Sequence, residues 1–395
     1  MPIPSFDREA ALQTAMELIA LPGRSGQEQA VSEYVVDRLR AAGLPPETVI
    51  HDDISARSPL GSSAANLIVK FPGTMRGPRR LLMAHMDTVP LCAGARPVRD
   101  GAVVRAADPH TALGADNRAG VGVLLTAALN ILEQKLPHPP LTFFFPVQEE
   151  IGLYGARFAN LSKLGSPKLC FNWDGSLPHA ACLGATGDYA LEIVVHGVAS
   201  HAGVCPERGV SAIAVAALAI ADLQENGWHG LIVKGKRTGT SNVGVIQAGE
   251  ATNVVTPSAR IRAEVRSHDP QFRVKIVQAY EKAFQKAARR VHSTLKQRGR
   301  VDFRSELKYE SFRLEESEPC VKEALRAIAA AGLRPETRIS NGGLDANWLS
   351  CRGLPTVTLG CGQQEVHTVH ETLLIEDYWK ACQIGLILAT NSAVD

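Results

Sequence analysis

The chain has 395 residues, a formal charge of +2, and 45% hydrophobic against 21% charged residues. That is ample apolar sequence for a large core and enough length for about two or three domains, while the near balance of charge excludes the basic excess of a nucleic-acid-binding protein. No apolar run approaches the roughly 18–20 residues of a membrane helix, and Asp7 and Glu9 stand where an export signal would carry Lys or Arg, so neither membrane nor secretion is expected.

The first 45 residues predict two helices, one with Ala10, Leu12, Met16, Leu18 and Ile19 on its apolar face, the other with Ala30, Val31, Val35 and Leu39. A Gly/Ser turn at 22–26 separates them. Apolar runs at 67–71, 81–84, 141–147 and 169–173 predict strands, with a helix at 118–132 between the second and third. Strands alternating with helices predict a largely parallel sheet covered on both faces. A second rhythm begins near Gly187: strand 189–196, helix 212–223, strands 241–246 and 259–266, helix 271–295, strand 301–309. The order βαββαβ is that of a ferredoxin-like unit. A return segment then carries a helix (319–331), a Gly-rich turn (341–343), a strand (356–359) and a closing helix (376–389). The eight cysteines are scattered singly with no C-x-x-C, which predicts reduced thiols in a cytosolic protein.

Ligands of open α/β sheets gather at the carboxyl ends of strands. Here LLMA runs into His85-Met86-Asp87, LTFFFPVQ into Glu149-Glu150 and LCFNW into Asp174, while Asp116 in GADNRAG stands where a helix should begin. Each has a structural reading alone: core histidine, solvated loop, turn residue, helix cap. Together at one sheet edge they form an oxygen- and nitrogen-rich donor set suited to catalytic zinc, cobalt or manganese. A carboxylate can bridge two such ions about 3.5–4 Å apart, lowering the pKa of a shared water and polarising a carbonyl. Successive side chains of an extended segment point apart, so one of the paired glutamates can bind metal while the other takes the water's proton. Asp87, on the same strand face as His85, is placed to hold the far ring nitrogen. There is no H-E-x-x-H, G-x-S-x-G or P-loop, and Gly120-Val121-Gly122 fails the dinucleotide fingerprint.

The strings MAHMDTVP, GADNRAGVGVLL, PVQEEIGLYGA, NWDG, HGVASHAGVCPERGVSAI, ATNVVTP and HTVHE span about residues 80 to 371. In that order they resemble the di-zinc exopeptidase family of peptidase T, carboxypeptidase G and aminoacylase. SNGGLDANWLSCRGLPTVTLG is similar to the peptidase T branch. The resemblance implies two zinc ions, with cobalt or manganese as substitutes. His85, Asp174, Glu150 and His367 (followed by Glu371) would be ligands, Asp116 the bridge, Asp87 the residue that orients His85, and Glu149 the general base. It also implies a cis peptide after Asp116, although the family often has a second Asp where this chain has Asn117. His201 would be an oxyanion donor, often reaching from a partner subunit, and Asn253 and Arg266 would hold the substrate. His196, His268 and His370 read as structural or surface residues.

The implied fold is an α/β zinc-exopeptidase-type mixed sheet flanked by helices (1–185 and 314–395), interrupted by a ferredoxin-like lid and dimerisation domain (186–313). The implied activity is hydrolysis of short peptides with release of the N-terminal residue, by a cytoplasmic, homodimeric enzyme. The alternatives are an amidohydrolase acting on N-acyl amino acids with the same machinery, and a metal-binding scaffold without catalysis. Retention of Glu149 argues against the scaffold, because binding alone does not need a base.

Overall fold

The N-terminal segment forms helix α1 (Arg8–Ala20), begun by Asp7, whose carboxylate accepts from the amides of Glu9 and Ala10 at 3.0 Å each. In this computed structural model, which describes residues 4–61 and 63–390, the chain forms two units, Met1–Ala185 with Arg313–Asp395 and Thr186–Phe312. The second unit thus ends one residue before the expected 313. Among the described residues no helix is long and apolar enough to cross a membrane.

The first unit continues with α2 (Gln29–Ala41), β1 (Val49–Asp52), β2 (Asn66–Phe71), β3 (Arg80–Met83), β4 (Pro97–Asp100), β5 (Val103–Ala106), α3 (Ala115–Gln134), β6 (Leu141–Phe145), α4 (Tyr154–Phe158), β7 (Leu169–Gly175) and β8 (Ala180–Ala185). The inserted unit holds β9 (Gly187–His196), α5 (Ala212–Glu225), β10 (Gly230–Lys234), β11 (Arg237–Ala248), β12 (Ser258–Ser267), α6 (Pro270–Arg290) and β13 (Arg300–Tyr309). The chain returns through β14 (Phe312–Arg313), α7 (Pro319–Ala330), β15 (Glu336–Ser340), α8 (Asp345–Cys351), β16 (Thr356–Gly360), β17 (Gln363–Gln364), β18 (Thr372–Leu374) and α9 (Ile375–Thr390).

The main sheet runs β1-β2-β6-β3-β7-β16-β8-β14, with β15 against β8. Its centre, β6-β3-β7-β16, is parallel, and β3 and β6 are buried throughout, as parallel strands covered on both faces require. Leu81, Met83, Phe144 and Cys170 form a core with Leu349 of α8 on one face; Trp173, three positions after Cys170, points the other way. The expectation of a largely parallel sheet holds only for this centre. β1 and β2 add antiparallel on one side and β8 on the other, so the sheet is mixed. β17-β18-β5-β4 form a separate small sheet whose strands of two to four residues carry no readable period.

The second unit is an antiparallel sheet, β10-β11-β12-β9-β13. Its last four strands have the ferredoxin-like order; β10 is an addition that pairs with β11 across a tight turn at Gly235 (φ +63°). Phe272, Ile276, Tyr280, Phe284 and Ala287 of α6 pack with Val215, Ala219 and Leu223 of α5 over Leu191, Ile193, Val195 and Ile261. Asp269 and Pro270 start α6 in the favoured way. The helix stops at Arg290, short of the expected 295, because Val291 turns extended and the HSTLKQ that follows has too few apolar residues to continue the stripe.

Candidate metal centre

The parallel centre of the main sheet determines where the polar residues emerge. β3 runs out into His85 and Asp87, β6 into Glu149 and Glu150, and β7 ends with Asp174. Asp116 arrives from the start of α3, where the chain is not yet helical: Gly114 is left-handed (φ +81°), the Asp116–Asn117 peptide is cis, and Asp116 has ψ 105°. Asn117 fixes this corner to β7, donating from Nδ2 to the Trp173 carbonyl at 2.5 Å and accepting from the Gly120 amide at 3.2 Å. A Cβ on Gly120 would lie 2.7 Å from that same carbonyl oxygen, so glycine is what allows α3 to approach so closely. His367 comes from the turn between β17 and β18, with φ +63°.

Asp116 is the centre of the arrangement. Its Oδ1 faces His85 Nε2 at 3.4 Å, and Asp174 Oδ1 lies 3.6 Å from the same nitrogen. Its Oδ2 faces His367 Nε2 at 3.2 Å, and that nitrogen is 3.0 Å from both oxygens of Glu150. Two triads result, His85–Asp116–Asp174 and Asp116–Glu150–His367, each with donor atoms within 4.8 Å of one another. Glu149 and His370 belong to neither. His370 is exposed, its amide donating to Thr368 Oγ1. Asp116 Oδ1 is buried with no hydrogen-bond partner, which leaves it available to a cation. The donor set fits a pair of divalent ions that share Asp116.

Asp87 sits behind this layer. Its Oδ1 is 3.3 Å from His85 Nδ1 and accepts from the Glu149 amide at 2.9 Å, while Oδ2 accepts from the Glu150 amide at 3.2 Å. Its carboxylate thus lies beside the histidine and holds the backbone amides of both glutamates.

The sequence pattern of the peptidase family M20/M25/M40 matches residues 81–391. Two solved structures are similar over nearly the whole chain. A tripeptidase from Staphylococcus aureus subsp. aureus Mu50 is 28% identical with TM-score 0.88, covering 98% of this chain and 99% of its own. An aminopeptidase PepT from Bacillus cereus ATCC 10987 is 29% identical with TM-score 0.84, covering 98% of each. The Bacillus subtilis (strain 168) protein YqjE is 29% identical over 383 residues, 97% of this chain and 98% of its own length. The chain belongs to peptidase family M20/M25/M40. It is a metal-dependent peptidase of the peptidase T-like branch.

The charges of this M20 site need neutralising partners. Burial by itself would lower the His85 imidazole, but the neighbouring carboxylates of Asp116, Asp174 and Asp87 hold it well above its ordinary range. Asp116 and Glu150 push His367 up to about 10. Burial raises Asp174 to about 7 and raises Glu150 as well. Burial also lifts Glu149 far above the usual carboxylate range, with the charges of Asp174, Glu150 and Asp345 adding to it. So many carboxylates can be buried together only when protons or metal ions neutralise them.

Several residues of the site have no role in the sequence reading. Glu371 is buried and accepts from the Gly114 amide at 2.7 Å and the Asp116 amide at 2.9 Å, holding the bridging residue by its backbone; its spacing four residues after His367 was the only clue. Asp345 is fully buried at the start of α8 with neither carboxylate oxygen hydrogen-bonded, and GGLDANW gives no hint of that. Ser25 donates to Asp87 Oδ2 at 2.6 Å from what reads as a plain turn.

The remaining expected residues lie in the second unit. His201 is exposed, its Nδ1 accepting from the Gly203 amide, and the Ala202 amide donates to the Asn253 carbonyl, so His201 and Asn253 share one pair of loops. Arg266, on β12, donates to Glu264 at 3.0 Å and stands opposite Asp188 of β9. His196 pairs with Asp302 at 2.8 Å.

Proposed function

We propose that the chain is a di-zinc aminopeptidase that releases the N-terminal residue of di- and tripeptides. The observation that carries this reading is the division of Asp116, one oxygen toward each of two histidine-carboxylate triads. His85 and Asp174 would hold one ion, Glu150 and His367 the other, and Asp116 both. Bound there, two zinc ions would acidify a shared water and polarise the scissile carbonyl.

Glu149 is the residue for proton transfer. It adjoins both triads in sequence and charge yet belongs to neither, so its carboxylate is free to take the water's proton and deliver it to the leaving amine. Asp87 keeps His85 and the two glutamate amides in register. From the second unit, His201 is assigned stabilisation of the tetrahedral oxyanion, and Asn253 and Arg266 the substrate's terminal groups. The shared loops of His201 and Asn253 support that pairing; the motif alone supports Arg266.

The tripeptidase and PepT similarity favours peptides over N-acyl amino acids. Eight free cysteines support a reducing compartment, the cytoplasm. Leu231 and Val233, exposed on the edge strand β10, support homodimerisation through the second unit. The test is to load the purified protein with zinc, cobalt or manganese and assay panels of di- and tripeptides and N-acyl amino acids. Release of N-terminal residues is expected; cleavage of acyl amino acids alone would reject the aminopeptidase reading.

A further inference from the structure

Glu149 is presented by a strained turn. Gln148, immediately before it, has φ +57°, a left-handed conformation that side chains other than glycine adopt only when their surroundings hold them there. Three groups do so. The Gln148 amide donates to Glu28 Oε1 at 3.0 Å, its side-chain Nε2 donates to the Gly61 carbonyl at 2.6 Å, and Ser58 Oγ donates to its Oε1 at 2.5 Å. The same Glu28 oxygen accepts from the Gly26 amide at 2.8 Å, so one carboxylate ties the loop between α1 and α2 to the turn. From that loop Ser25 reaches Asp87 Oδ2 at 2.6 Å, the oxygen that also accepts the Glu150 amide.

The loop is itself anchored. The Thr88 amide donates to the Gly23 carbonyl at 3.2 Å, Arg24 bridges Thr88 in parallel, and the buried Arg118 guanidinium donates to the carbonyls of Gly23 and Leu18. All these residues precede or flank the catalytic strands, and 23–28 lie outside the stretch that matches the family pattern, 81–391.

We infer that residues 23–28 are part of the catalytic apparatus, with Ser25 and Glu28 acting as positioning residues for the general base. Ser25 sets Asp87, which holds the Glu149 and Glu150 amides; Glu28 sets Gln148, which fixes the direction in which Glu149 leaves the strand. The inference rests on the proposed role of Glu149. It predicts loss of turnover with both metals and substrate affinity kept, because Ser25 and Glu28 bond to Asp87 and Gln148 rather than to a triad side chain, and the reacting group is displaced rather than removed.

The experiment compares Ser25→Ala, Ser25→Thr, Glu28→Ala and Glu149→Ala in the zinc-loaded full chain, measuring kcat, KM and bound metal on a tripeptide. Ser25→Ala and Glu28→Ala should each lower kcat by about ten- to a hundredfold with KM within about twofold and both metals retained. Ser25→Thr, which keeps the hydroxyl, should recover most of the rate. Full kcat in both alanine variants overturns the inference, as does a loss of rate that excess metal restores. Should Glu28→Ala fail to fold, the Ser25 pair alone decides. If Glu149→Ala remains active, the base assignment itself is wrong. If Glu149→Ala is inactive while Ser25→Ala and Glu28→Ala are normal, only the role of the loop is lost.

Discussion

Two adjacent glutamates and two histidines three residues apart divide their work by where the backbone points them. Glu150 meets His367 at 3.0 Å, whereas Glu149 is a member of neither triad. Glu149→Ala should therefore lower turnover by about 10²–10⁴-fold with both ions still bound. Metal analysis of the inactive variant checks this, and a variant that loses an ion yet regains activity on metal addition would mean that the two glutamates are exchanged. His367→Ala should weaken one site more than about a hundredfold, beyond what loss of an outer contact costs, whereas His370→Ala should leave both sites intact because its side chain belongs to neither triad. Metal titration of the two variants separates them. The pH dependence follows from the same contacts. Burial pushes Asp174 up to about 7, and Asp116 and Glu150 push His367 up to about 10, so near neutrality His367 and a fraction of Asp174 carry protons that a metal must displace. Binding should release protons, and apparent metal affinity should rise as pH is raised from about 6 to 8. Calorimetry in buffers of different ionisation enthalpy measures that release; proton uptake would contradict it.

At the scale of elements, the ends of β3, β6 and β7 deliver ligands because their apolar runs stop where the sheet edge begins, and a run that stops is visible in sequence. His85, Asp87, Glu149, Glu150 and Asp174 could be singled out for that reason; Asp116 stood out by its place at a helix start, and His367 only through the family resemblance. The roles of Ser25, Glu28 and Glu371 were not legible. Ser25 works through the Asp87 carboxylate, 62 positions away, and Glu28 and Glu371 through distant backbone amides, 120 positions away for Glu28 and Gln148, and no local pattern encodes such contacts. β10 and the small sheet were missed for a different reason, since strands of two to five residues show too little alternation to separate from loops. Gly120 and Gly122 stand out in the sequence only as a failed dinucleotide fingerprint. They are packing glycines: a Cβ on Gly120 meets the Trp173 carbonyl and one on Gly122 meets the Tyr378 hydroxyl at 2.6 Å. Gly120→Ala should push α3 from β7, costing about 1–3 kcal/mol and disturbing Asp116 with it. Chemical denaturation gives the first and metal affinity the second; a variant unchanged in both would show that the helix can shift without consequence.

Across the whole molecule, a mixed sheet with a parallel centre gathers one histidine and four carboxylates at its edge, and a late turn adds the second histidine. The insertion, a ferredoxin-like unit with one extra edge strand, carries the residues assigned to substrate. The order of the chain's segments was readable because helix and strand periods alternate over long stretches; the antiparallel flanks were not, because pairing direction leaves no mark on a short apolar run. What unifies the chain chemically is the shared Asp116. The most direct measurement is a titration of the metal-free protein with cobalt, following bound ion per chain together with tripeptide turnover. Two ions per chain are expected, with release of the N-terminal residue reaching its full rate as the second is bound. Saturation at a single ion, or full occupancy without cleavage of any peptide, would contradict the two-metal aminopeptidase.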